Sequence, residues 1–190
     1  MSSLEILTYG APVLRRRAKA VNRVDDEVRE LLEQMVETTR AAPGLGLAAP
    51  QVGQSVRAIV VLVEEDEYRL VNPKIIKREG AVEGIEGCLS IPGLQGEVVR
   101  PERVTVKALT ANSRPVTVPA EGLLARVLCH EIDHLDGILF TDRADPDSLH
   151  WIIRDESEEG GFRKEPVSLD EALQALLEKR WPGEDGGSSL

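Results

Sequence analysis

The sequence predicts a fold in which helices and antiparallel strands occupy separate stretches of one chain, and three patterns carry that expectation. Residues 25–42 place apolar side chains at helical spacing. Residues 57–120 hold short β-branched segments broken by Pro and Gly. Residues 123–136 return to helical spacing. A length of 190 residues suits one core rather than two.

The first helix, 25–42, opens on acidic residues that suit a helix N-terminus, and Val28, Leu31, Leu32, Met35 and Val36 form its buried stripe. Pro43 and Gly44 stop it and open the segment Gly44-Leu45-Gly46-Leu47-Ala48-Ala49-Pro50-Gln51. This segment is expected to be a loop or irregular strand whose small residues admit a neighbouring backbone. Residues 58–63, 70–76, 104–109 and 116–118 read as strands in antiparallel pairing. Residues 123–136 are apolar on more than one side and end at Gly137, as expected of a central helix enclosed by other elements. Residues 145–165 are acidic and turn-rich. Pro166 and the Ser168-Leu169-Asp170-Glu171 capping box then open a last helix, with Leu169, Ala172, Leu173, Leu176 and Leu177 as its stripe and Trp181-Pro182-Gly183 as its end. The expected organisation is a single domain over 1–182 and a flexible polar tail over 183–190.

Composition removes several classes of function. The longest apolar run, 58–63, is far too short to cross a bilayer. The N-terminus has neither the basic start nor the apolar stretch of a signal peptide, so no membrane partner and a cytoplasmic location are expected. Lys and Arg number 23 against 33 Asp and Glu, and the net charge of −10 opposes attraction to phosphate backbones, so no direct nucleic-acid substrate is expected. Cys88 and Cys129 are expected to be reduced thiols, a disulfide between them being the alternative.

His130-Glu131-Ile132-Asp133-His134 puts two imidazoles at i and i+4 on one helix face, where both can reach one metal ion. Glu131, next to the first imidazole, can lean toward a water at that ion and shuttle its proton. Hydrolytic metal sites usually take three protein ligands and leave one position open. His150 and several acids downstream are candidates for the third ligand. Cys88, in Glu86-Gly87-Cys88-Leu89-Ser90, is the better one, because a thiolate at a loop or strand end could face the helix. His150, beside Trp151, reads as structural or surface. Cys129 points about 100° around the helix from His130 and reads as packing.

Three separated segments, Gly44 to Gln51, Glu86-Gly87-Cys88-Leu89-Ser90 and His130-Glu131-Ile132-Asp133-His134-Leu135-Asp136-Gly137, resemble those of the peptide deformylases in content, order and separation. A looser similarity begins at Tyr9-Gly10-Ala11-Pro12-Val13-Leu14 and extends to about Phe140. The resemblance implies an α+β fold in which antiparallel sheets surround the helix carrying His130 and His134. It further implies that Cys88, His130 and His134 bind one metal per chain, that Glu131 is the acid and base, and that Gln51 with the Leu89 N–H polarises the substrate carbonyl. The implied activity is hydrolytic removal of the formyl group from the N-terminal methionine of new polypeptides, with release of formate. A thiolate with two imidazoles suits zinc or ferrous iron. The resemblance favours Fe²⁺, with Zn²⁺, Ni²⁺ or Co²⁺ as substitutes.

A substrate methionine needs an apolar pocket, and Leu123 and Val127, at i−7 and i−3 from His130, either line it or pack the core. Leu45 and Gly46 are expected to border the substrate, whose backbone could add as a strand to that edge. Two positions depart from the family pattern: Gln95, where many relatives carry arginine, and Cys129, often glutamine. The last helix sets Asp170, Glu171 and Glu178 against Lys179 and Arg180 and so lacks the basic character of a ribosome-docking helix. Any ribosome encounter is expected to be transient. Rival readings are an endopeptidase using the same helix and a metal-binding protein without activity.

Overall fold

The computed structural model describes residues 3–158 and 160–182. The expected tail, 183–190, lies outside the described residues. The fold is α+β, with two antiparallel sheets and, among the described residues, three α-helices.

Helix α1, Asp26–Ala41, starts where the Asp25 side chain accepts the Val28 N–H, and buries Leu32, Met35 and Val36. The first sheet has the order β1-β2-β3-β6-β7, formed by Gly46–Ala48, Ala58–Val63, Asp66–Glu79, Arg103–Thr110 and Pro115–Glu121. Strand β2 is apolar throughout because both its faces are covered. Ile59, Val61 and Val63 join one apolar cluster with α2, Gly122–Leu135, whereas Ala58 and Val60 join a second cluster with α1. Full burial of a side chain such as Ile59, Leu128 or Leu135 contributes about 2 kcal/mol. Strand β7 carries Pro115 and Pro119, which an edge strand tolerates. Gly137 ends α2 with φ +75°, and a Cβ there would lie 2.9 Å from the Arg15 backbone.

The second sheet has the order β4-β5-β8-β9, formed by Val82–Cys88, Ile91–Arg100, His150–Arg154 and Phe162–Pro166. With α3, Leu169–Leu177, it builds a third apolar cluster around Ile91, Leu94, Val98, Trp151, Ala172 and Leu176. No residue of β4, β5, β8 or β9 belongs to the α2 cluster, and no residue of α2 belongs to this third cluster. The junction between α2 and the second sheet is polar.

Several expectations need correction. Four strands were expected over 57–120, where the structure has six, because Gly84, Gly87, Gly93, Gly96 and the acids of β4 dilute the β-branched pattern. Residues 145–165, read as turns, contribute β8 and most of β9, and Leu94↔Trp151 and Gln95↔His150 pair β8 to β5. The last helix starts at the Ser168 capping box but ends at Leu177, short of Trp181. The segment from Gly44 is an edge strand followed by a 3-10 turn, Ala49–Val52. The room its small residues leave is filled by side chains rather than by a backbone: a Cβ on Gly44 would meet Leu89, and one on Gly46 would meet Glu131.

Candidate metal centre

The spacing of His130 and His134 brings their rings together one helical turn apart, edge to face at 74°, with the Nε2 atoms 3.2 Å from each other. Cys88 is the last residue of β4, where a register irregularity after Gly87 precedes the turn into β5. Its Sγ lies 3.3 Å from His134 Nε2. One ligand atom from each of the three residues lies within 4.8 Å of the others. Two imidazole nitrogens and a sulfur that converge in this way are a donor set for a soft to borderline divalent cation, so the residues present fit a metal.

The other nitrogen of His130, Nδ1, is 2.9 Å from Glu86 Oε2. Glu86 is buried and held by Arg100, with Nε to Oε1 at 2.8 Å and Nη2 to Oε2 at 2.9 Å, and by Arg126 Nη1 to Oε1 at 2.8 Å. Arg100 also donates to Asp133 Oδ2 at 2.5 Å, and Arg143 completes the Asp133 carboxylate with bonds of 2.6 and 2.8 Å. Burial works to raise the Glu86 pKa, but the hydrogen bonds from Arg100 and His130 outweigh it and hold the carboxyl down at about 2. Sequence reasoning missed this network. Its available signals were Glu86 two residues before Cys88 in an extended segment, and Asp133 three residues after His130 on the helix.

Glu131 is buried at 3 % exposure, and its Oε2 has no hydrogen-bond partner in the protein. Burial, opposed by the charge of His130, pushes its pKa up to about 7, the range of a group that both takes and returns a proton. The carboxylate lies over Gly46, where a Cβ would come within 2.6 Å of Oε1. His134 Nδ1 is likewise buried without a protein partner, and burial lowers the pKa of that ring well below the usual histidine range.

Gln51, at 1 % exposure, accepts the Ala48 N–H at Oε1 over 2.8 Å. That bond turns the amide nitrogen toward Ser90 Oγ at 3.2 Å and Cys88 Sγ at 3.6 Å. Gln51 therefore joins the thiol cluster, with Ser90 as a partner that sequence reasoning did not name. Leu89 follows Cys88 in the turn, its side chain against Gly44. Leu45 is exposed, and its carbonyl accepts the Leu62 N–H at 2.7 Å. Leu123 is exposed on the first turn of α2, whereas Val127 is buried in the cluster that α2 forms with the first sheet. His150 is buried, with Nδ1 2.8 Å from the Ser148 carbonyl oxygen, and is not among the converging donors. Cys88 and Cys129 are both free thiols, and burial pushes the Cys129 pKa up.

Residues 3–149 match the family model for Polypeptide deformylase. A curated relative from Symbiobacterium thermophilum, named Peptide deformylase, is 51 % identical over 162 residues, covering 84 % of this chain and 74 % of its own. One of the same name from Natranaerobius thermophilus is 54 % identical over 147 residues, covering 76 % and 94 %. Among solved structures, the peptide deformylase of Thermotoga maritima aligns with a TM-score of 0.75 at 39 % identity, over 77 % of this chain and all of that one. The enzyme of Ehrlichia chaffeensis in complex with actinonin aligns with a TM-score of 0.75 at 40 % identity, over 76 % and 90 %.

Proposed function

Because this chain belongs to the polypeptide deformylase family, we propose that Cys88, His130 and His134 hold its metal, that Glu131 moves the protons, and that Gln51 with the Leu89 N–H receives the carbonyl oxygen. The enzyme hydrolyses the N-formyl group of newly synthesised polypeptides and releases formate. The convergence of one thiol and two imidazoles beside a buried carboxylate carries the assignment of residues.

A bound cation supplies a lowered pKa for water and polarisation of a carbonyl. Glu131 takes the proton of the water that attacks the formyl carbon. Negative charge then grows on the former carbonyl oxygen, and the Gln51 amide and the Leu89 N–H donate to it. The carbon–nitrogen bond breaks as Glu131 returns its proton to the departing amine. Formate leaves, and the methionyl amine is free.

Gly46 opens edge strand β1, with Leu45 just before it, and Cys88 ends edge strand β4, so an extended peptide between them finds edge-strand main-chain groups on either side. Main-chain bonding of that kind suits an enzyme that serves many nascent sequences. Leu123 and Val127 are offered as walls of the methionine pocket, Leu123 from its exposed turn and Val127 from the core side. We read α2 as the central helix of a single catalytic unit over 1–182. No helix among the described residues is long and apolar enough to cross a membrane, and a substrate made on the ribosome argues for the cytoplasm and for a transient encounter there. Ferrous iron is the proposed native metal, one per chain.

The test is formate release from formyl-Met-Ala-Ser, run beside the acetylated peptide and an internally cleavable one, with elemental analysis of protein prepared with and without oxygen. Fast formate release, very slow acetate release and intact internal bonds are expected. A Cys88→Ala variant that keeps its metal overturns the ligand set, and equal activity of anaerobic and aerobic, zinc-loaded protein overturns the iron.

A further inference from the structure

Arg126 lies four residues before His130 on α2, yet its guanidinium is turned into the second sheet and the side chain as a whole is only 13 % exposed. Nη2 donates to the Val82 carbonyl at 2.9 Å. Nη1 is shared among the Val98 carbonyl at 2.9 Å, Glu86 Oε1 at 2.8 Å and the Gly84 carbonyl at 3.3 Å. Three of these acceptors belong to β4, the edge strand that ends in Cys88, and the fourth lies on β5 opposite Gly84. The clamp is possible because residue 84 has no side chain: a Cβ there would sit 2.8 Å from Arg126 Nη2.

The placement matters because the ligands arise from separately packed parts of the molecule. His130 and His134 ride on a helix whose apolar partners are in the first sheet, whereas Cys88 packs against the cluster of the second sheet. One ring contact crosses this division, Phe140 of the third cluster stacked on His130 with centroids 6.4 Å apart. The other links described across the junction are polar. Arg100 already neutralises Glu86 with two hydrogen bonds, so the distinct contribution of Arg126 is to the β4 and β5 carbonyls. A guanidinium fork presents donors on separate nitrogens and so spans acceptors spread along two strands, whereas the three donors of an ammonium radiate from a single nitrogen.

We propose that Arg126, seated over Gly84, is a positioning residue of the metal centre: it clamps edge strand β4 to α2 and thereby fixes Cys88 against His130 and His134. The proposal rests on the ligand assignment made above. It adds to that assignment a pair of residues that touch neither metal nor substrate, and it predicts that they act as one unit.

The test uses the full-length protein loaded with cobalt(II). Its readouts are the thiolate-to-cobalt charge-transfer absorption, the rate of metal loss to a chelator, and kcat and KM for formate release. The variants are Arg126→Met, Arg126→Lys, Gly84→Ala and the double variant Gly84→Ala/Arg126→Met. Arg126→Met is expected to speed metal loss by about tenfold or more, with a weakened charge-transfer band and a fall in kcat rather than a rise in KM. Arg126→Lys should restore part of this. Gly84→Ala, which displaces the guanidinium without removing it, should reproduce the Arg126→Met phenotype. The double variant should be no worse than Arg126→Met, because both changes break the same clamp. Metal loss within about twofold of the parent in both single variants, or fully additive effects, overturns the proposal. Should Arg126→Met fail to fold, Gly84→Ala alone decides between the same outcomes. A parent protein with no thiolate-to-cobalt band overturns the ligand assignment itself, and the clamp with it.

Discussion

The Glu86 carboxylate, 2.9 Å from His130 Nδ1, grips the imidazole by the nitrogen opposite the one that faces His134. A hydrogen bond from Nδ1–H to a carboxylate leaves the Nε2 lone pair for a cation and makes that nitrogen more basic. The carboxylate is itself pinned by Arg100 and Arg126, so the ring cannot rotate without disturbing three charged neighbours.

Acid should expose the contribution of Glu86. Its folded pKa of about 2 lies below the ordinary 4.5, so the stabilisation is present above pH 4.5 and is lost as pH falls through 2. The difference corresponds to about 3 kcal/mol. Urea midpoints of the metal-free protein should fall more steeply between these values than those of Glu86→Gln, and parallel curves would contradict the assignment.

Glu131 has the opposite sign. Burial raises its folded pKa to about 7, so the stability it contributes in the neutral form is complete below 4.5 and is lost as pH rises through 7. Metal-free Glu131→Gln should therefore be more stable than the parent at pH 8, by about 2 to 3 kcal/mol, and equal to it at pH 4. In the metal-loaded enzyme the same change should lower kcat by about 10² to 10⁴ while elemental analysis finds the metal retained.

Gln51→Met removes the amide that faces the thiol cluster but keeps the volume of a residue at 1 % exposure. We expect kcat to fall by about 10² to 10³ with little change in KM, as for loss of a donor used mainly in the transition state. A rise in KM alone would instead make Gln51 a ground-state binding residue.

Gly46→Ala is expected to harm turnover through Glu131. Backbone strain is not the cause, because Gly46 has no positive φ; the new Cβ would lie 2.6 Å from Oε1 and must push the carboxylate aside. A displacement near 1 Å in a proton-transfer group can cost about a hundredfold in rate. The metal should remain bound. Lost activity in a variant whose crystal structure shows Glu131 unmoved would mean that Gly46 matters for another reason.

The histidine pair was legible in the sequence because two residues four apart on one helix must share a face, and helix 25–42 was legible from its stripe and its acidic first turn. Cys88 was legible as the better third-ligand candidate from thiolate chemistry and its place at a loop or strand end, whereas Gln51 and Leu89 depended on the family resemblance, since no periodicity joins positions so far apart in the chain. Strands β4 and β5 were hidden by the residues the site requires. Gly84 makes room for Arg126, and Glu86 holds His130, yet a glycine and a buried acid both weaken a strand pattern. The hairpin formed by β8 and β9 was missed because its polar residues face outward and only Trp151 and its neighbours are buried. Spacing put Leu123 and Val127 on one face, but it carried no information on where α2 emerges from the protein.

The polar junction between α2 and the second sheet has a further consequence for cooperativity. Two regions with separate apolar cores, joined mainly by polar links, can open with different free energies unless a further tie makes their opening a single event. A cation held by Cys88 from one region and by His130 and His134 from the other is such a coupler. Amide hydrogen exchange in the second sheet and α3 should therefore slow to the rate of global unfolding when the metal is bound, and in the metal-free protein these elements should exchange ahead of the helix that carries the histidines.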